Sequence, residues 1–347
     1  MAQDMQALLL REGGFASTEG FVGNQLERPG DVLELGQVPR PRLKPGQILV
    51  QVRRAAVNPS DIAFVQGFYG QPRVAGAPAG FEGVGTVVEA GAGFMARALK
   101  GRDVAFYVTP DGSGSWGEYA VTQAALALPL KKGVEDRDAA GLIVNPVTAA
   151  AMLELVKPGE AFVFSAAASQ LGKLVASLAK DQRKKMIALV RREAPMAGLT
   201  DLGARYVLNE GEAGFDAALA ELCKAQKPRI FLDAVAGPAS AKVHRAMGKG
   251  ARWVIYGKLD AALPEILDPG EMIFLGKVIE GFWTTEWARK TSFLRKMKVF
   301  NDVQNRFRDG RWTTDVSAEL PMAHAIERLP QALAQPDGKV QIVMGGG

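Results

Sequence analysis

Apolar residues recur along this chain in short runs of two textures. From residue 1 to about 140 the runs are brief and β-like: ILVQVRRAAV (48–57), VGTVVEA (84–90), DVAFYV (103–108) and EYAVT (118–122). RPGD, PRPRLKPGQ, NPSD and APAGFEGVG interrupt them. Such Gly and Pro clusters turn the chain and end regular elements. The pattern predicts a twisted, partly closed, mostly antiparallel sheet.

Near residue 141 the texture changes. NPVTAAAMLELV (145–156) has a helical pattern, ended by Lys157-Pro158-Gly159. AFVFSA (161–166) is an unbroken small and apolar run, as a strand covered on both faces is. SQLGKLVASLAKDQRKK (169–185) is amphipathic. Strand and helix patterns then alternate: KMIALVRR (185–192), a helix over 196–203, ARYVLN (204–209), a helix over 212–226, RIFLDAV (229–235), a helix over 237–248 and ARWVIYGK (251–258). Alternation of this kind predicts an α/β, doubly wound parallel sheet. IFLGKVIEGF (273–282) reads as a sixth strand, 286–309 as one long helix, and the tail as a helix, a turn and a last strand. The layout is one domain, 1–140 and 284–347, interrupted by another, 141–283.

Composition narrows the classes. The chain has 347 residues, 48% of them apolar, enough for about two domains. No apolar run approaches the ~20 residues of a membrane span. The N-terminal MAQDMQALLLREGG lacks the basic start and long apolar core of a signal peptide. The single cysteine, Cys223, excludes intrachain disulfides and suits a reducing, cytoplasmic setting. The net charge of +5 suits an anionic ligand, and equally a scatter of surface lysine and arginine. No Arg-rich tract interleaved with aromatics points to nucleic acid.

Candidate chemistry sits at two places. The first is Ala166-Ala167-Ala168-Ser169-Gln170-Leu171-Gly172, between a buried strand and a helix. Small residues there let backbone approach a pyrophosphate resting on the helix N-terminus, and they serve helix–strand packing equally. Ala167, Ser169, Gln170, Leu171 and Gly172 are therefore candidate dinucleotide contacts, in a degenerate A-x-S-x-x-G. At the end of the next strand stand Arg191 and Arg192, where an NAD site usually has a carboxylate. Guanidinium groups bind a 2′-phosphate by charge-assisted hydrogen bonds, so the expected cofactor is NADPH. The second place is the polar turn Asn58-Pro59-Ser60-Asp61, followed by an apolar stretch and Gly67-Phe68-Tyr69-Gly70. Tyr69 is either an aromatic lid or a proton donor, since a phenol of pKa ~10 keeps its proton at neutral pH.

These stretches resemble the medium-chain dehydrogenase/reductase superfamily. The resemblance runs along nearly the whole chain, through NPSD, Gly80-Phe81-Glu82-Gly83-Val84-Gly85, Gly114-Ser115-Trp116, Asn145-Pro146-Val147-Thr148-Ala149, the small-residue turn, Leu202-Gly203-Ala204 and Gly338-Lys339-Val340. It implies a Rossmann domain inserted into a GroES-like catalytic domain. The zinc alcohol dehydrogenases of that superfamily have a cysteine near position 58 and a histidine at 81. Asn58 and Phe81 stand here, and His244 and His324 lie away from the motifs, so no zinc is expected.

Two zinc-free branches remain, the quinone oxidoreductases and the 2-enoyl thioester reductases. Gly281-Phe282-Trp283-Thr284-Thr285-Glu286 and Val190-Arg191-Arg192 are more similar to the second. That resemblance implies Tyr69 as proton donor, with Asn58 orienting it or binding the enolate. It implies Phe68 and Trp283 in the acyl pocket, and Asn145 and Thr148 near the nicotinamide. Gly70 replaces a proline usual after the tyrosine, the dinucleotide turn is alanine-rich, and Arg192-Glu193 replaces an acidic residue followed by arginine. The expected function is NADPH-dependent reduction of an activated C=C. The alternatives are a quinone reductase and a low-turnover NADPH-binding structural protein. An apolar edge strand at 273–282 predicts a homodimer.

Overall fold

The computed structural model describes residues 4–16, 25–109, 113–265, 268–335 and 338–345, so the first three residues of the N-terminal stretch lie outside it. The chain divides into two compact units, Met1–Val144 with Phe300–Gly347, and Asn145–Val299.

The first unit opens with β1 (Asp4–Leu10), β2 (Leu33–Pro39), β3 (Gln47–Val57), β4 (Glu82–Ala90), β5 (Asp103–Tyr107), β6 (Tyr119–Gln123) and β7 (Ala127–Pro129). Helices α1 (Pro59–Val65), α2 (Phe94–Leu99) and α3 (Asp136–Ala139) are set among and after them. β1 and β2 form an antiparallel pair. β3, β4, β5 and β7 follow one another antiparallel, with β6 also on β3. Glycine governs how closely β4 lies on β3, because a Cβ on Gly85 would stand 2.0 Å from the Gln51 carbonyl oxygen. Two register shifts in the β3–β4 ladder add twist. Ile48, Val50, Phe64, Phe81, Phe106 and Trp116 are buried in the core of this unit.

In the second unit, α4 (Val144–Leu153) leads into β8 (Ala161–Phe164), α5 (Gln170–Asp181), β9 (Lys185–Val190), α6 (Met196–Leu202), β10 (Tyr206–Asn209), α7 (Phe215–Gln226), β11 (Ile230–Asp233), α8 (Pro238–Ala246), β12 (Arg252–Ile255), α9 (Gly270–Leu275) and β13 (Val278–Gly281). All six strands are parallel, in the order β10-β9-β8-β11-β12-β13. This is the doubly wound order, and its topological switch point lies between β8 and β11. After α10 (Thr284–Lys290) and α11 (Phe293–Arg308), the chain adds β14 (Val316–Pro321), α12 (Ala325–Leu333) and β15 (Lys339–Val343) to the first unit. β15 lies antiparallel to β3 and parallel to β14.

Three sequence expectations are corrected here. NPSD is the start of a helix, with Asn58 as the cap of α1 and Pro59 in its first turn, where a missing N–H costs nothing. The run 273–282 is divided between α9 and β13, because Gly276 takes a left-handed conformation (φ 60°) and ends the helix. The long helix over 286–309 is two helices, and Ser292 Oγ accepts the Arg295 N–H at the start of the second.

Candidate active site

Tyr69 follows the C-terminus of α1. The amide of Gly67 bonds to Phe64 O at 2.9 Å, and that of Phe68 to Ala63 O at 2.8 Å. Gly67 needs its positive φ of 84°, and a Cβ there would meet Ala16 N at 2.8 Å. Phe68 and Tyr69 are half-buried and Gly70 is exposed. The Tyr69 ring packs on Phe81, with centroids 5.1 Å apart, and stands edge-on to Phe64 at 6.5 Å. Phe64 and Phe81 are themselves 4.9 Å apart, and Tyr107 stacks on Phe81 at 5.9 Å. Buried Arg73 supports the loop by donating to Val65 O at 3.0 Å and Gly14 O at 3.3 Å.

Behind this aromatic stack a buried polar cluster surrounds Asn58, and its other members, Asp61, Glu82 and Lys339, were given no role by the sequence. Asn58, Asp61, Glu82 and Lys339 are each at most 5% exposed. Asn58 Nδ2 donates to Glu82 Oε1 at 2.9 Å, and Lys339 Nζ donates to Asn58 Oδ1. Asp61 accepts the N–H groups of Asn58 and Phe81, each at 2.8 Å. Glu82 Oε2 accepts from Ile143 N at 3.1 Å and Val144 N at 2.8 Å. Burial pushes the Asp61 carboxyl up to about 7. Burial also raises the Glu82 carboxyl and lowers the Lys339 ammonium from their ordinary values. Both polar ends of the Asn58 side chain are thus engaged by Glu82 and Lys339. The available signal was a lone carboxylate inside an otherwise buried strand, GFEGVG, and a lysine opening the apolar strand KVQIV.

In the second unit the turn after β8 is built of small residues. Ala166 takes a left-handed φ of 49°, and Ala167 is fully buried. Ser169 caps α5, with its Oγ accepting the Gly172 N–H at 3.2 Å. A Cβ on Gly172 would stand 2.2 Å from Ala167 O, so only glycine lets the helix lie this close to the turn. Gln170 is buried and Leu171 half-buried. Arg191 and Arg192 are exposed directly beyond β9. Next to them, burial pushes the Glu210 carboxyl up to about 6, against the pull of Arg191. Across the switch point, Asp233 takes hydrogen bonds from Ser165 Oγ (2.5 Å), Trp253 Nε1 (2.8 Å), Val235 N (2.9 Å) and Ala236 N (3.0 Å). Thr148, on α4, shares a 2.7 Å hydrogen bond with Thr284 at the start of α10, beside half-buried Trp283. Asn145 is half-buried in the first turn of α4.

Of the histidines, His244 is buried on α8, and burial lowers its pKa. Among the described residues, no group of three or more His, Cys, Asp or Glu is placed to hold a metal ion. Among them, too, no helix is long and apolar enough to cross a membrane.

Residues 44–132 match the model of the alcohol dehydrogenase GroES-like domain, and 170–298 that of the zinc-binding dehydrogenases. The mitochondrial enoyl-[acyl-carrier-protein] reductase of Mus musculus is 31% identical over 303 residues, which are 85% of this chain and 80% of that protein. The chain belongs to the medium-chain dehydrogenase/reductase superfamily, in its enoyl and quinone reductase branch. It is an oxidoreductase of that superfamily. The crystal structure of a putative NADPH:quinone reductase from Mesorhizobium loti is 47% identical, covers 99% of both chains and superposes with a TM-score of 0.93. The mitochondrial 2-enoyl thioester reductase heterodimer of Candida tropicalis is 23% identical, with a TM-score of 0.78 over 98% of this chain and 100% of that one. At that identity the likeness is one of fold.

Proposed function

We propose that this oxidoreductase uses NADPH to reduce an activated C=C bond, in an enoyl thioester or another α,β-unsaturated carbonyl compound, with Tyr69 as proton donor. The observation that carries the reading is the mounting of Tyr69. Its ring is fixed on two sides by Phe64 and Phe81, while the next residue, Gly70, is open to solvent. The enoyl reductase relative supports the reaction class.

The residues fit the cofactor. The turn after β8 carries only small side chains ahead of a helix N-terminus, where a pyrophosphate is favoured. Ala167, Ser169, Gln170, Leu171 and Gly172 would hold it, Arg191 and Arg192 would hold the 2′-phosphate, and Asn145 and Thr148 the nicotinamide end. When bound, NADPH supplies a hydride to the β-carbon. Negative charge then develops on the carbonyl oxygen and α-carbon. Tyr69 holds the proton that the α-carbon takes, and regains one from water. Phe68 and Trp283 supply apolar surface to the acyl group. Asn58 acts from behind the aromatic stack, through the helix it caps. The single buried cysteine fits a reducing compartment such as the cytoplasm.

A homodimer belongs to the same proposal. β13 is the outer strand of its sheet, and Ile273, Phe274 and Val278 are exposed in and beside it. Pairing with a twofold mate covers both the edge and these side chains.

The near full-length likeness to the Mesorhizobium loti protein favours a second reading, reduction of a quinone, in which Tyr69 is only a wall. The test follows NADPH consumption with crotonyl-CoA and with a quinone, for the wild type and Tyr69→Phe. Turnover of crotonyl-CoA that falls by about 100-fold or more in the variant supports the donor. Reduction of the quinone alone, unchanged in the variant, selects the second reading. Tight NADPH binding without turnover of either selects a structural protein.

A further inference from the structure

The cluster of Asn58, Asp61, Glu82 and Lys339 asks for a reason. It encloses two carboxylates and one ammonium group in an apolar core. An apolar replacement of similar volume would often be as stable, because desolvating the charges offsets their attraction. What a hydrogen-bonded cluster supplies and an oily one does not is direction. Each bond here fastens a different piece of backbone.

The pieces lead to one place. Lys339, at the start of β15, reaches the Asn58 side chain, and Asn58 reaches Glu82 on β4. Asn58 also opens α1, and the backbone N–H groups of Asn58 and Phe81 share the Asp61 carboxylate. From α1, Phe64 meets Tyr69, and Phe81 meets it from the start of β4. Two residues that pack on the Tyr69 ring, Phe64 and Phe81, are therefore tied to the cluster. The same Glu82 carboxylate takes the N–H groups of Ile143 and Val144 at the beginning of α4.

We infer that Lys339 and Glu82 are positioning residues for Tyr69, acting through Asn58, Asp61 and the paired rings of Phe64 and Phe81. Neither needs to touch substrate. Lys339 bridges β15 to the cap of α1, and Glu82 bridges that cap to the backbone of Ile143 and Val144. Without the ammonium, the Asn58 carbonyl oxygen loses its donor, and Asp61 and Glu82 lose the cation that both act on. The start of α1 then loses its tie to β15, and the Tyr69 ring packed against α1 loses part of its support. The inference rests on the reading of Tyr69 as proton donor for its catalytic consequence, but not for the position of the ring.

The test uses the full chain labelled with 13Cζ-tyrosine. The chain has five tyrosines, so the Tyr69 resonance is assigned by its loss in Tyr69→Phe. Lys339→Met is expected to move or broaden the Tyr69 resonance while Tyr206 and Tyr256, in the other unit, keep theirs. It is also expected to lower kcat by about 100-fold, the scale of a misplacement of an ångström, with KM for NADPH little changed. Lys339→Arg, which keeps a cation, is expected to restore part of both. If Lys339→Met fails to fold, the double variant Glu82→Gln/Lys339→Met removes one anion with the cation and carries the same expectation. An unmoved Tyr69 resonance in a folded variant overturns the inference, whatever the activity. The donor reading fails separately, if Tyr69→Phe keeps wild-type turnover of crotonyl-CoA.

Discussion

Tyr69 and Phe81 lie ring against ring, with centroids 5.1 Å apart, and the peptide N–H of Phe81 is held at 2.8 Å by the buried Asp61 carboxylate. Phe81 thus serves as the wall against which Tyr69 is set. Phe81→Leu keeps an apolar side chain of similar bulk, so the stability cost should stay near about 1 kcal/mol. The flat wall is lost, and the tyrosine ring gains freedom. Turnover should fall by more than that stability loss accounts for, while KM for NADPH holds. Urea denaturation set beside steady-state kinetics checks this, and an unchanged kcat would mean that the ring contact is packing alone.

Stability should depend on pH through Asp61. Its carboxyl titrates at about 7 in the folded chain against 3.8 ordinarily, chiefly because it is buried. The folded form therefore holds a proton that the unfolded form has already released. The resulting stabilisation is complete below the unfolded value and is lost as pH rises through about 7. Glu82, raised in the same direction, adds to the slope. Denaturant midpoints measured between about pH 4.5 and pH 8 should fall with rising pH, and Asp61→Asn should flatten the curve. A wild-type curve that rises over this range would contradict the assignment.

The arginine pair beyond β9 should discriminate between cofactors. On the reading that they meet the 2′-phosphate, Arg191→Ala and Arg192→Ala would each remove a charge-assisted contact worth about 1.5–3 kcal/mol, or roughly 10- to 150-fold in affinity. The loss is expected for NADPH and not for NADH. Equilibrium titration of both cofactors by fluorescence decides it, and equal losses for the two would place the guanidinium groups away from the 2′-phosphate.

Gly172→Ala should damage the turn and the cofactor site together. The added methyl would stand 2.2 Å from Ala167 O, a distance that backbone cannot accept without moving. The variant should melt at a lower temperature and should gain less from added NADPH than the wild type, since stabilisation by a ligand follows its affinity. A wild-type gain with NADPH in the variant would separate the turn from cofactor binding.

The outer edge of β13 offers a test of assembly. Val278 N bonds to Ala251 O and Phe282 N to Ile255 O, so alternation turns the Ile279 N–H away from β12. Ile279→Pro removes that outward donor and leaves the inner ladder intact. Light scattering should give twice the chain mass for the wild type and one chain for the variant. A dimeric variant would put the interface elsewhere.

The sequence was most readable where burial is uniform. The strands of the parallel sheet are unbroken apolar runs, and their order along the chain follows from alternation with helices. The first unit was harder, because its short elements depend on contacts with distant segments. α1 is one example: NPSD has the composition of a turn, and the capping residue Asn58 has its side chain held by Lys339, 281 residues away. Glu82 is another. In the sequence it is one acidic letter among glycines, and only the fold brings Asn58, Ile143 and Val144 onto its two oxygens. The small-residue turn was legible because its partners are local, Ser169 and Gly172 lying three residues apart.

The left-handed alanine in that turn decides where the turn keeps its strain. Ala166 sits at φ 49°, a region that costs a residue with a Cβ about 1–2 kcal/mol. Glycine would remove the strain, yet it would also give the unfolded chain roughly 0.4–1 kcal/mol of extra conformational freedom to lose. The second effect offsets about half of the first, so alanine holds this turn at a net cost of about 1 kcal/mol or less. Ala166 stands one residue before the A-x-S-x-x-G stretch, so that cost falls outside the positions at which the fingerprint expects glycine, and the close approach of helix to turn rests on Gly172.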